Sequence, residues 1–286
     1  GHLLLVFAKA LRRSLDRISS VLHKDLKEAK ISGAVGSYAG MNPYIEEKAL
    51  EEFDLVPAKC ETQILQRDRH ANLLSAVAIA ASTIEQMCRT FWEMMRSEVG
   101  ELEEPRRIDQ RRSSAMAHKK NPILVERLMG LPRLMRAYAL IAMENIATLE
   151  FRDISQSSVE RHILPDATSL LHYMANKMTG LVTNLVVFPE RMKEHVDTTS
   201  CGVWATQQIR NALMESGVPY ETAYLSLQKE AFEATKSRTS LIEMLRTWLL
   251  PDNERTAEAI LGKERLLECF NAEAYVREGI DHIFQM

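Results

Sequence analysis

Glycine and proline are scarce in this chain, 11 and 9 of its 286 residues. Alternating Val/Ile/Thr runs are almost absent too, so strands have little to be made from and the fold is expected to be nearly all helix. The four cysteines, Cys60, Cys88, Cys201 and Cys269, lie far apart with no CxxC pair. That spacing indicates neither a disulfide framework nor a zinc site, and reduced thiols fit a cytoplasmic protein. An excess of either charge is missing as well: 36 Lys+Arg stand against 39 Asp+Glu, a net charge of -3. Nothing in that balance points to nucleic acid or an anionic membrane as a partner. No apolar run is long enough to span a bilayer, and the opening GHLLLVFAKALRR carries its charges after the apolar stretch, the reverse of a signal peptide. The chain lacks an initiator Met and begins as though inside a helix, so the native protein is expected to extend further N-terminally.

What the chain does have is helical periodicity. Leu74, Val77, Ala81, Ile84, Cys88, Phe91 and Met95 follow steps of three and four, which keeps one apolar stripe facing a neighbour for about six turns. Leu4, Phe7, Leu11, Leu15, Ile18, Leu22 and Leu26 repeat the pattern, and further runs cover about 123 to 147 and 166 to 186. Pro132 sits inside the third run and should kink or break it. Beyond VVFPER the segments shorten, with helical stretches near 204 to 216, 221 to 235, 239 to 249 and 272 to 285. Turn signals such as Gly217-Val218-Pro219 join them. The expected architecture is a long central helical bundle over residues 1–195 followed by a small helical domain over 196–286.

Three polar passages interrupt this pattern. SGAVGSYAG (32–40) places glycine at 33, 36 and 40, which suits either an ordinary loop or a turn allowing close backbone approach. RRSSAMAHKKNP (111–122) crowds Ser113, Ser114, Lys119, Lys120 and Asn121 together. Folded back, it could converge on an anionic substrate, with cations stabilising a serine alkoxide or a carboxylate charged in a transition state. A solvated surface loop is the other reading. FRDISQSSVERHILPD (151–166) gathers Arg152, Ser157, Ser158 and Arg161 within ten positions. Guanidinium and hydroxyl groups suit a phosphate, while Ser157 or Ser158 would equally suit a helix cap, and the two readings are compatible.

SSAMAHKKNP resembles the serine-loop signature of the fumarase/aspartase superfamily, whose members eliminate fumarate from a substituted succinate. KISGAVGSYAG, TQILQRDRHA (62–71), RDISQSSVERHILPDAT (152–168) and VFPERM narrow the likeness to the bacterial adenylosuccinate lyase family. The resemblance runs through essentially the whole chain. It implies a homotetramer whose active sites combine loops from three subunits, cleavage of adenylosuccinate to AMP and fumarate, and cleavage of the succinyl-aminoimidazole-carboxamide ribonucleotide. No metal and no organic cofactor is implied. By position, Ser113 would be the general base and Ser114 a substrate contact. Lys119 and Asn121 would hold the succinyl carboxylates and Gln63 would touch the same ligand. Glu126 would orient the family's general-acid histidine, and Arg152, Ser157 and Arg161 would bind the phosphate end.

The match departs from the family at Arg112, where glycine is usual, at Ala117, where proline is usual, and at LEFRD (149–153), where WHERD is usual. The segments bearing the family's TSxD motif and general-acid histidine would fall before residue 1, so the 286 residues alone are expected to show little turnover. His70 and His118 are read as non-catalytic. Two alternatives remain open on the sequence: another lyase or cycloisomerase of the superfamily, and a diverged helical oligomer without catalysis.

Overall fold

The computed structural model describes residues 1–105, 116, 120–149, 152–247, 249–250 and 255–285. Helices make up 69% of it, and strands among the described residues are confined to two-residue pieces. The chain divides into two compact units, residues 3–186 and 187–286.

In the first unit, helix α1 (His2–His23) leads to a two-residue strand β1 (Glu28–Ala29), helix α2 (Pro43–Glu51) and strand β2 (Val56–Pro57), which pairs with β1 in parallel. The long helix α3 spans Asp68–Met94, and α4 (Ile123–Gly130), α5 (Pro132–Glu144) and α6 (Ser155–Thr183) pack against it. The expected stripe of α3 is its buried face, with Leu74, Val77, Ala81, Ile84, Cys88 and Phe91 all nearly inaccessible. Pro132 breaks the third run at the expected place and becomes the first residue of α5, where its missing N–H is no loss.

Cross-links fix the directions of these helices. Arg136 Nη1 of α5 reaches Glu85 Oε2 of α3 at 2.8 Å, and Trp92 Nε1 of α3 donates to Glu126 Oε1 of α4 at 3.3 Å. Higher numbers in α4 and α5 therefore meet lower numbers in α3, so the pair runs antiparallel to it. Arg67 Nε meets Glu160 Oε1 at 2.6 Å, while Cys88 Sγ lies 3.9 Å from Met178 Sδ, so α6 runs parallel to α3. The core between them is filled by Val125, Leu128, Met135, Ile163, Met174 and Leu181. Each large apolar side chain so buried contributes about 1.5–3 kcal/mol over its exposed state.

Two expectations need correction. Helix α1 forms, but its leucine stripe is not covered: Leu4, Leu15 and Leu22 are exposed, and the buried residues are Phe7, Ser14 and Val21. Periodicity reports that a face is apolar and says nothing of what covers it. Helix α6 begins eleven residues earlier than the expected 166, because Pro165 sits inside it rather than near its start.

The second unit contains α7 (Pro189–Glu194), a π-helical turn at His195–Thr199, α8 (Thr206–Glu215), α9 (Tyr220–Ser237), α10 (Leu241–Thr247), α11 (Ala257–Leu261), α12 (Lys263–Glu268) and α13 (Ala272–Gln285). Its core joins Ile209, Leu213, Leu227, Leu241, Leu245 and Leu266, with Trp204 edge-on to Phe270 at 6.3 Å between ring centres. The short helices α11 and α12, joined at Gly262 with φ +82°, escape a periodicity search because neither completes two turns.

Burial, and after it the Glu104 charge, push the Cys88 thiol up to about 12, so it stays protonated and shielded inside the bundle. Cys60 is exposed and Cys269 buried. A thiol reagent at neutral pH should modify Cys60 at once and reach Cys88 and Cys269 only after denaturant is added. Mass spectrometry of the labelled peptides checks this, and rapid native labelling of Cys88 would contradict the packing.

Candidate active site

The glycine passage and the Gln63 segment are built as one layer. Glu46 on α2 is fully buried and accepts hydrogen bonds from Ile31 N and from the Tyr38 hydroxyl. That bond to Glu46 raises the Tyr38 phenol above its ordinary value. Lys30 Nζ donates to the carbonyls of Gly33 at 3.1 Å and Gln63 at 2.9 Å, stapling the two loops together. Gly36, at φ +74°, makes the close approach: a Cβ there would lie 2.0 Å from the carbonyl oxygen of Glu61 and 2.8 Å from that of Thr62. Glu61 in turn accepts from Arg69 Nη1, and Arg69 Nη2 reaches Glu28 Oε2 at 2.6 Å.

This layer is joined to the start of α6. Arg67 donates to Leu65 O and to Glu160 Oε1, both at 2.6 Å, and both members of the ion pair are only 14% exposed. Ser157 and Arg161, four residues apart, share a face of α6. Arg161 is exposed and lines an open groove of about 460 Å³ with Tyr138, His162, Pro165, Asp166 and Ser169. The helix is not capped by Ser157 or Ser158, which lie within its first turn. Asp153 takes that part, accepting from Ser155 N at 2.8 Å, while its other oxygen accepts from Leu149 N at 2.8 Å. The Ser155 side chain first, and these backbone bonds after it, hold the Asp153 carboxyl below its ordinary value. Arg152, exposed, precedes this turn. His70, in the first turn of α3, is held below its ordinary value by burial and, second, by the Arg67 charge.

Asn121 and Glu126 stand elsewhere. Glu126 lies in the first turn of α4 and is held by Trp92, near the other end of α3. Twenty-five residues separate Arg67 from Trp92, about 37 Å of helix at 1.5 Å per residue. One chain therefore brings Gln63, Arg152, Ser157 and Arg161 to one end of the bundle and Asn121 and Glu126 to the other. Ser113, Ser114 and Lys119, with Arg112, Ala117 and His118, lie outside the described residues. Lys120 is paired with Glu103. Sequence reasoning missed Lys30, Glu46 and Glu104, since a carboxylate or amine that serves backbone groups far along the chain leaves no local signature.

The sequence profile of a family described as Lyase matches residues 1–133. Among solved structures, β-carboxy-cis,cis-muconate cycloisomerase from Acinetobacter calcoaceticus superposes with a TM-score of 0.83 at 22% identity, over 100% of this chain and 62% of that one. The 3-carboxy-cis,cis-muconate lactonizing enzyme of Pseudomonas putida gives 0.78 at 22% identity, over 93% of this chain and 58% of that one. At such identities the likeness is one of fold alone. With the whole-chain sequence matches that follow, profile and bundle give the chain a likeness of class: it is similar to lyases of the fumarase/aspartase superfamily. Within that class, the adenylosuccinate lyase of Thermotoga maritima is 42% identical over 285 residues, covering 100% of this chain and 64% of the relative. The adenylosuccinate lyase of Bacillus subtilis is 37% identical with the same coverage. The chain thus spans just under two thirds of the length of these curated relatives.

Two expectations follow from the local geometry. Gly36→Ala meets both a left-handed backbone and a carbonyl in its way, whereas Gly33→Ala, at φ +88° with open space around its Cβ, meets only the first. The Gly33 change should cost about 1–2 kcal/mol and the Gly36 change clearly more, read as urea midpoints. His70, with its folded value lowered, binds its proton more weakly in the native state than in the unfolded one. Its contribution to stability is therefore intact above the unfolded value of about 6.5 and is lost as pH falls below it. His70→Gln should flatten the stability curve below that pH, and an unchanged curve would remove His70 as the cause.

Proposed function

We propose that the chain is the serine-loop-bearing part of an adenylosuccinate lyase. It would carry out β-elimination of fumarate from adenylosuccinate, leaving AMP, and from the succinyl-aminoimidazole-carboxamide ribonucleotide. The observation that carries this reading is 42% identity maintained across the entire chain, with SSAMAHKKNP and RDISQSSVERHILPDAT inside the matched length.

The chemistry asks for the groups these passages contain. A proton next to a carboxylate is very weakly acidic, so a base must take it while fixed positive charge receives the electrons on that carboxylate. In this reading Ser113 removes the proton, Lys119 and Asn121 stabilise the aci-carboxylate, and Ser114 and Gln63 hold the succinyl part. The C–N bond then breaks, the electrons settle on the leaving nitrogen, and a general acid oriented by Glu126 protonates it. Arg152, Ser157 and Arg161 take the phosphate: two guanidinium groups and a hydroxyl at the start of a long helix favour a dianion. Elimination of this kind needs no metal and no organic cofactor.

The stretch of α3 that separates the two groups, about 37 Å from Arg67 to Trp92, is longer than a single nucleotide. One substrate can meet both only where ends of different copies come together, which supports a homo-oligomer, here a homotetramer, with shared sites. The uncovered Leu4, Leu15 and Leu22 of α1 supply apolar surface for such contacts. No helix among the described residues is long and apolar enough to cross a membrane, and the four free cysteines suit the cytoplasm.

Ultraviolet-monitored cleavage of adenylosuccinate tests the reading, run on the chain alone and on the chain joined to the remaining part of the Thermotoga maritima relative. Little turnover alone and clear turnover when joined is the expected pattern. In the joined protein Lys119→Ala should reduce turnover by about a hundredfold or more with helicity unchanged. Tetramers that bind no AMP and cleave nothing would replace the proposal with a non-catalytic helical oligomer.

A further inference from the structure

Two adjacent carboxylates before the serine passage are tied to its last residues and to the helix that follows it. Glu103 pairs with Lys120. Glu104, only 7% exposed, accepts from Leu124 N at 2.8 Å and from Val125 N at 3.1 Å through one oxygen, Oε2. These amides belong to the second and third residues of α4, which have no partner within the helix. A side chain at the N-cap ordinarily serves them, but the N-cap here is Pro122, which carries no side-chain oxygen. The cap is instead supplied from twenty residues upstream, and its negative charge sits at the positive end of the helix dipole. The next residue after Val125 is Glu126, held by Trp92, and Asn121 enters the same turn with its carbonyl accepting from Ile123 N at 3.0 Å.

The geometry points to Glu104 as a positioning residue, one that fixes Asn121 and Glu126 by holding the first turn of α4 against the end of α3. This rests on the lyase reading of those two residues. Glu104 acts through the backbone of residues 124 and 125, so what matters is its capacity to accept two hydrogen bonds. Its partners lie beyond the serine passage in sequence.

Two substitutions separate hydrogen bonding from other roles. Glu104→Gln keeps an oxygen that can accept both amides, and Glu104→Ala removes it. With the chain labelled by 5-fluorotryptophan, the Trp92 resonance, assigned by its loss in Trp92→Phe, reports the Trp92–Glu126 contact directly. Glu104→Ala should shift that resonance and speed amide exchange at 123–126 by about tenfold or more, and Glu104→Gln should restore both. In the chain joined to the rest of the Thermotoga maritima relative, Glu104→Ala should lower kcat by about a hundredfold with KM little changed, and Glu104→Gln should recover most of it.

If Glu104→Ala does not fold, Glu104→Asp, one methylene short of the two amides, takes its place with the same expected changes. An unmoved Trp92 resonance and unchanged exchange in the truncated variant would overturn the assignment. So would lost turnover with both signals intact, or a Glu104→Gln variant as damaged as the alanine one. If the unsubstituted joined protein cleaves nothing, the lyase reading fails by itself, and Glu104 is judged on the fluorine resonance and amide exchange alone.

Discussion

The first unit depends on one stiff element, the 27 residues of α3. Its apolar stripe gives α4, α5 and α6 a common surface, and its length dictates where their ends lie. A helix of that size measures about 40 Å, so residues gathered at opposite ends cannot be brought together by any loop movement within the chain. The packing that stabilises the bundle therefore also divides the candidate site. What a compact fold would place in one cleft, this one distributes between the two ends of α3.

Both ends of α3 are finished by charged groups serving structural ends. At the N-terminal end Arg67 and Glu160 join the Gln63 layer to α6, and each is shielded enough that removing one would strand the other, at about 3–5 kcal/mol. At the C-terminal end Glu104 caps α4 and Trp92 holds Glu126. Between them Glu85 takes Arg89 and Arg136 on separate oxygens. The buried carboxylates Glu46, Glu85 and Glu104 all accept from backbone amides, a phenol or guanidinium groups, as burying a charge requires. They are occupied holding the frame, whereas Arg152 and Arg161 face solvent.

How legible this was differs by element, for physical reasons. The period of α3 and the break at Pro132 were plain because burial on one face and a missing N–H act locally. The true start of α6 was not, because Ser, Gln and Arg there carry no apolar stripe, and the cap is an aspartate two residues ahead of the helix. For α1 the stripe was legible and its burial was not, since whether a face is covered depends on groups outside it. The candidate residues were found by resemblance of motifs, whereas the distance between their two groups follows from helix length and could be known only once the helices had been paired.

Glu104 shows the limit most clearly. In sequence it is one of several acidic residues in ELEEP, with nothing to distinguish it from a solvated charge. Its meaning comes from Pro122, which starts α4 without an oxygen to offer, and from chain reversal that brings a carboxylate twenty residues away to the orphan amides. A proline before a helix and a buried acid in an acidic run are each ordinary; together they explain one cap, with the oxygen that Pro122 lacks supplied by Glu104. Capping ties the turn that opens α4 to a carboxylate twenty residues upstream, so the start of that helix is specified from outside its own sequence.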